Sequence, residues 1–223
     1  MGTVLAWESI HNGGWQYVLL WPAVTILYVA FGYALAGGRI FGKRADGTLH
    51  PIAVVLLAPY LVPTWTIWQV RRALYGRPIG QEVAPGLWLG RRVSFAELPP
   101  GIRFVCDLTA EFSADRKLRR NVTYCCIPVL DGTTGADESV LKMVDRICRI
   151  NEPVYIHCAV GYGRSASMMA AVLIAKRIAD DLESAEALLE KMRPGVHINR
   201  AQRKQLARLV SLLAAARTAP PLS

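Results

Sequence analysis

The sequence predicts an α/β domain, a phosphatase-type arrangement of a central, mostly parallel sheet flanked by helices, preceded by two transmembrane helices. Three observations predict it. Two long uncharged apolar stretches lie near the N-terminus, short β-rich runs alternate with helical periodicity beyond residue 78, and residues 154–167 read as strand, glycine-containing loop and helix.

The first apolar stretch, YVLLWPAVTILYVAFGYALA at residues 17–36, lies in a segment with no charged side chain from Gly13 to Gly38. As a helix it is about 30 Å long, the thickness of a bilayer core. The second, residues 51–70, is also uncharged and carries Trp65 and Trp68 near its end, where indole rings favour a membrane interface. Pro51 opens this helix, and Pro59 and Pro63 are expected to kink it. A polar turn, RIFGKRADGTLH, separates the two, so the segments read as a helical hairpin with both chain ends on one face. Two alternatives stay open: a cleaved signal peptide ending at Ala34-Leu35-Ala36, although the region before the first stretch holds only Glu8 and no basic residue, and a re-entrant second segment. Basic residues do not orient the hairpin, because Arg39, Lys43 and Arg44 in the turn balance Arg71, Arg72 and Arg77 after it.

The composition agrees with a chain that is only partly soluble. Of 223 residues 52% are hydrophobic and 19% charged, which excludes intrinsic disorder. A formal charge of +9 suits an anionic partner such as a membrane surface or a phosphorylated substrate. Five cysteines without a CxxC pair or zinc-type histidine spacing argue against a disulfide scaffold or a structural metal site. Division into a hairpin (1–78), a catalytic domain (79–215) and a tail (216–223) follows. Strand-like runs are GLWL, IRFVCDL, VTYCCIPV and PVYIH; helical periodicity appears at 138–150, 165–179, 184–192 and 199–216.

Chemistry concentrates in VYIHCAVGYGRSAS. A loop between a strand and a helix N-terminus can turn successive N–H groups inward as an anion nest, and the helix dipole adds to the attraction. Gly161 and Gly163 permit the backbone conformations this needs. A thiolate at Cys158 would be stabilised there, below the ordinary thiol pKa of about 8.5. Arg164 offers a planar fork for two phosphoryl oxygens.

HCAVGYGRSA resembles the H-C-x5-R-[ST] signature of the cysteine-dependent phosphatases, particularly the dual-specificity class. APGLWLG, FVCDLTAEF, IPVLDGTTG and RPGVHINRAQRKQL are similar to further blocks of that family, so the resemblance spans residues 82 to about 213. It implies that Cys158 attacks phosphorus to form a phosphocysteine, while Ala159, Val160, Gly161, Tyr162 and Gly163 cradle the phosphate with Arg164. It further implies that His157 tunes the thiolate, that Ser165 hydrogen-bonds the sulfur and helps it leave, and that Asp131, in a mobile loop, is the general acid. Asp137 is the fallback acid. No metal or cofactor is implied.

Other candidates have plainer readings. Cys125 and Cys126 read as small strand residues, with redox partners of Cys158 as the open alternative; His50 and His197 satisfy local hydrogen bonds or face solvent, and Met168 and Met169 belong to the core. The basic run Arg116, Lys117, Arg119, Arg120 is a solvated loop, with lipid headgroups as the alternative. The function expected is a membrane-anchored phosphomonoester hydrolase of phosphotyrosine, phosphoserine and phosphothreonine proteins, its catalytic domain on the cytoplasmic face. A phospholipid-headgroup phosphatase, a sulfurtransferase resembling rhodanese and a non-catalytic phosphate-binding module are the alternatives. Partners are then a phosphorylated protein or phospholipid and membrane lipids, with no nucleic acid.

Overall fold

The structure is a computed structural model that describes residues 1, 3–4, 7, 14–76 and 78–218. Gly13, Glu8, Arg77 and the end of the expected tail, 219–223, lie outside the described residues. A five-stranded sheet has the order β1-β2-β5-β3-β4. Its strands are β1 (Gly80–Ala84), β2 (Leu87–Arg91), β3 (Phe104–Thr109), β4 (Thr123–Val129) and β5 (Val154–Cys158). Only the β1–β2 edge is antiparallel; β2–β5, β5–β3 and β3–β4 are parallel. The sheet is therefore mostly parallel, as its β-branched runs and intervening helices require. The edge strand β1, GQEVA, is polar and short, and gave no strand pattern.

Side chains alternate across this sheet with period two. Phe104, Cys106 and Leu108 of β3, with Val154, Ile156 and Cys158 of β5, enter the main core. That core is closed by α5 (Asp137–Cys148), α6 (Arg164–Ala175), α7 (Leu182–Met192) and α8 (Arg200–Thr218). Val105 and Tyr155 point to the opposite face, where Val93, Ile102 and Leu118 form a smaller cluster. The last of these belongs to a short helix, α4 (Arg116–Asn121), capped by Asp115. The basic run is thus helical rather than loop, and Arg119 pairs with Asp46 at 3.2 Å. Helix α6 stops earlier than its periodicity suggests, because Arg177 takes a left-handed φ of 59° and the chain turns back.

The N-terminal segments differ from the expected hairpin. Helical structure continues from a 3-10 turn through α1 (Leu20–Phe31) and a π-helical turn to Phe41; this span, Tyr17–Phe41, is the one helix among the described residues long and apolar enough to cross a membrane. The second segment breaks into α2 (Pro51–Leu56) and α3 (Ala58–Tyr75). Pro59 has no N–H to donate, so the helix is interrupted at Leu57. The Leu56 carbonyl instead accepts from Trp21 Nε1 at 2.9 Å and Thr25 Oγ1 at 3.0 Å, which clamps the first segment to the second. His50 caps α2 by accepting from Ile52 N.

Nor does the turn between the segments project away from the sheet domain. Its Gly47 carbonyl accepts from Ala114 N, Leu49 N donates to Ser113 Oγ, and the Arg44 carbonyl lies 3.3 Å from Cys126 Sγ. Lys43 is wholly buried against Asp107 of β3. Two spanning helices would put this turn and the domain on opposite sides of a bilayer, an arrangement that their direct contact does not fit. Trp65 and Trp68, expected at a membrane interface, instead donate to carbonyls of the domain.

Candidate active site

Strand β5 delivers Cys158 to the C-terminal edge of the sheet, and α6 begins six residues later at Arg164. Between them the chain folds back on the sulfur: Gly161 N donates to Cys158 Sγ at 3.2 Å, and Ser165 Oγ lies 3.3 Å from it. Gly161 has a φ of +81°, and a β-carbon there would meet the Gly90 carbonyl carbon at 2.4 Å. Both conditions demand glycine. Ser165 and Cys158 are both buried.

Arg164 is nearly inaccessible and held from several sides. Its Nη1 donates to Glu111 Oε2 at 3.0 Å and to the Val129 carbonyl at 2.8 Å, and its Nη2 to Glu111 Oε1 at 2.8 Å. Burial works against the guanidinium charge, yet the facing Glu111 carboxylate outweighs it and holds the pKa above the ordinary arginine value. The Nε–H of Arg164 is buried with no partner among the described residues. A buried donor of this kind is satisfied when an anion binds. Glu111 was not singled out in the sequence, although it stands within FVCDLTAEF, because nothing local shows that it faces an arginine 53 positions away.

Asp131 is brought to the same place, with Oδ1 3.3 Å from Arg164 Nη2 and its side chain 72% exposed. The loop after it is held by side-chain amides in this structure. Asn199 Nδ2 donates to the Gly132 carbonyl, Gln202 Nε2 to that of Thr133, and Gln205 Nε2 to that of Gly135. These three amides, from the entry and first turns of α8, position Asp131 over the cleft. Asp137 is not part of this group: it opens α5 and is engaged by Gln205 and Arg208.

Beneath the loop, His157 points to the thin face of the sheet together with Asp107. The His157 Nδ1 lies 3.9 Å from Asp107 Oδ1. Lys43 Nζ donates to Asp107 Oδ2 at 2.7 Å, to the Thr109 carbonyl at 2.6 Å and to Thr109 Oγ1 at 2.9 Å. Tyr124 OH also donates to Asp107 Oδ2, at 2.6 Å. Burial alone would raise the Asp107 pKa, but Lys43 and then His157 overcome it, and the carboxyl is held well below the usual range. Burial lowers the His157 pKa against the pull of Asp107, and Lys43 reinforces the lowering. The balance leaves the His157 pKa below the ordinary imidazole value.

Cys106, Cys125 and Cys126 all have thiols pushed up by burial first of all. Cys125 and Cys126 lie on β4, two strands from β5. Two interstrand spacings are about 9–10 Å, beyond the roughly 7 Å limit on Cα separation in a disulfide. Neither can bridge to Cys158 in this fold.

The segments before the domain complete the cleft. A cavity of about 230 Å³ has Asp131, Ala159 and Arg164 at one end and Tyr33, Tyr60, Ile67 and Trp68 along its side. Trp68 Nε1 donates to the Ala159 carbonyl at 2.8 Å, and Trp65 Nε1 to that of Glu111 at 2.8 Å. Nothing local in the apolar segment shows that its tryptophans brace the catalytic loop.

A family model, "Dual specificity phosphatase, catalytic domain", matches residues 97–210, half of the chain. Among solved structures, PTPMT1 in complex with PI(5)P is similar with a TM-score of 0.56 at 20% identity, over 63% of this chain and 100% of that one. Tk-PTP in its active form gives a TM-score of 0.54 at 24% identity, over 60% and 97%. Human DUSP28 gives 0.51 at 20%, over 62% and 97%. No curated protein matches the chain. The match over half the sequence, on a sheet that carries Cys158 and Arg164 at its edge, means that this chain belongs to the dual specificity phosphatase family and is a cysteine-dependent phosphatase.

Proposed function

We propose that the chain hydrolyses a phosphomonoester on a phospholipid headgroup. The observation that carries the lipid reading over the phosphoprotein reading is the wall of the cleft. Tyr33 and Ile67, 44% and 57% exposed, belong to the two apolar segments and line the approach to Arg164 and Asp131. A substrate reaching the phosphate loop passes along apolar helices that leave Trp21, Val24, Leu27, Val62 and Val70 uncovered. Such a surface suits acyl chains and is costly to leave in water. The helical span Tyr17–Phe41 serves as the anchor, with the catalytic domain on the cytoplasmic face.

The chemistry proceeds in two steps. Cys158 Sγ attacks phosphorus as the bond to the ester oxygen breaks, and Asp131 gives its proton to that oxygen, leaving a phosphocysteine and the free alcohol. Water then attacks phosphorus, Asp131 takes its proton, and the sulfur leaves as thiolate with Ser165 Oγ hydrogen-bonded to it. Arg164, locked by Glu111, faces the equatorial oxygens in both steps. His157, with Nδ1 3.3 Å from the Cys158 carbonyl, supports the loop from below.

Turnover of an aryl phosphate by the full chain in detergent tests the reaction. Cys158→Ser is expected to be inactive and Asp131→Ala to lose about 10²- to 10⁴-fold, the usual scale of acid–base catalysis; full activity in Cys158→Ser would refute the mechanism. A panel of phosphatidylglycerophosphate, phosphoinositides and phosphopeptides in the same micelles tests the substrate. Faster turnover of the peptides than of every lipid would return the phosphoprotein reading.

A further inference from the structure

Beside the catalytic cleft lies a second cavity of about 340 Å³, which shares Trp68, Arg71 and Val160 with it. Its other walls are Arg72, Arg91, Tyr162 and Gly195. Three arginines therefore line one space that no acidic side chain lines. Arg72 and Arg91 both bind Glu97 nearby, at 2.6 and 2.9 Å, so one carboxylate serves two of them. The Arg71 side chain has no hydrogen-bond or ion-pair partner among the described residues. A fourth guanidinium, that of Arg193, stacks on Tyr162 with 4.6 Å to the ring centroid.

The position of Arg71 follows from its helix. Trp68 ties α3 to the catalytic loop through Ala159, and Arg72 ties it to Glu97. Three residues after Trp68, Arg71 lies on the same helical face. Arg71 has no carboxylate of its own and stands beside two arginines that share Glu97, so their mutual repulsion is relieved by a second anion in the cavity. Arginine's fork suits a phosphate diester, and Trp68, Val160 and Tyr162 offer apolar contact to the carbons between two phosphates.

We propose that this cavity is a second anion subsite in which Arg71 binds the internal phosphodiester of a phospholipid whose terminal phosphomonoester is held by Arg164. The assignment rests on the lipid reading, and it makes Arg71 a determinant of which lipid is used. A lipid with a monoester and no diester fills only the first site.

Two soluble short-chain lipids separate these cases: dihexanoyl phosphatidylglycerophosphate, with both groups, and dihexanoyl phosphatidate, with the monoester alone. The full chain in detergent is expected to show a KM for the first lower by about tenfold. Arg71→Gln is expected to erase that ratio through KM, and Arg71→Lys to keep part of it. Equal KM values in the wild type, or a ratio unchanged in Arg71→Gln, would overturn the proposal. So would an Arg71-dependent KM advantage for an acidic phosphotyrosyl peptide over the diester lipid. Should phosphopeptides outpace both lipids, the deacylated headgroups still decide the subsite as inhibitors of aryl phosphate hydrolysis. The diester-bearing headgroup is then expected to inhibit about tenfold better than glycerol 3-phosphate in wild type and equally in Arg71→Gln; equal inhibition in wild type overturns it.

Discussion

Lys43 offers the sharpest test of how the N-terminal segments and the sheet domain are joined. Its ammonium gives all three protons to Asp107 and Thr109, and both charged side chains of the pair are 1% exposed or less. Lys43→Met keeps the length of the stem and removes the charge, leaving Asp107 ionised and buried. Breaking a buried pair from one side costs about 3–5 kcal/mol. For a chain of this size each kcal/mol is about 2–4 °C in Tm, so a fall of about 6–20 °C is expected by thermal unfolding in detergent. Asp107→Asn alone strands the lysine and is expected to cost a similar amount. The double variant removes both charges and is expected to be more stable than either single one, a coupling of at least about 2 kcal/mol. Because Lys43 holds the His157 pKa down, Lys43→Met is also expected to raise it, as followed by NMR of the imidazole. Additive losses, or a Lys43→Met variant within about 1 kcal/mol of wild type, would refute the reasoning.

Other expectations follow from the same geometry. Glu111→Gln removes the charge that fixes Arg164 and is expected to lower kcat/KM for an aryl phosphate by about 10- to 100-fold, the worth of a hydrogen bond to a charged group; steady-state kinetics check this. Trp68→Phe deletes the donor to Ala159 while keeping most of the packing and is expected to cost about 1 kcal/mol or more in Tm measurements, with a parallel loss of activity. His157 sits below its ordinary pKa of 6.5 in the folded state, so the unfolded chain binds the extra proton first. Stability is expected to be full above that pH and to decline as pH falls through 6.5, and His157→Gln should flatten this slope in Tm against pH.

Much of the domain was legible because its signals are local. GLWL, IRFVCDL, VTYCCIPV and PVYIH became β2, β3, β4 and β5, since β-branched and aromatic residues in short runs bounded by turns have few other uses. The catalytic loop was legible because strand, glycine, arginine and helix must follow in sequence to build an anion nest, and the structure brings Cys158, Arg164, Ser165 and Asp131 together. What escaped notice depends on distant pairs. Glu111 and Arg164 are 53 positions apart, Lys43 and Asp107 are 64, and Trp68 and Ala159 are 91. The second apolar segment was read as one spanning helix, whereas the structure breaks it at Leu57 and lays one side of it on protein, a surface that hydrophobicity does not distinguish from lipid. Leu57, Leu61 and Trp68 cover protein.

The indole of Trp68 on the Ala159 carbonyl bears on how the enzyme is best handled in the laboratory. A truncated fragment beginning at residue 79, the natural choice for soluble expression, would lose that brace, one wall of the cleft and the lysine that neutralises Asp107. Whatever selectivity such a fragment displayed would describe a shallower, differently charged hollow from the one the whole chain presents.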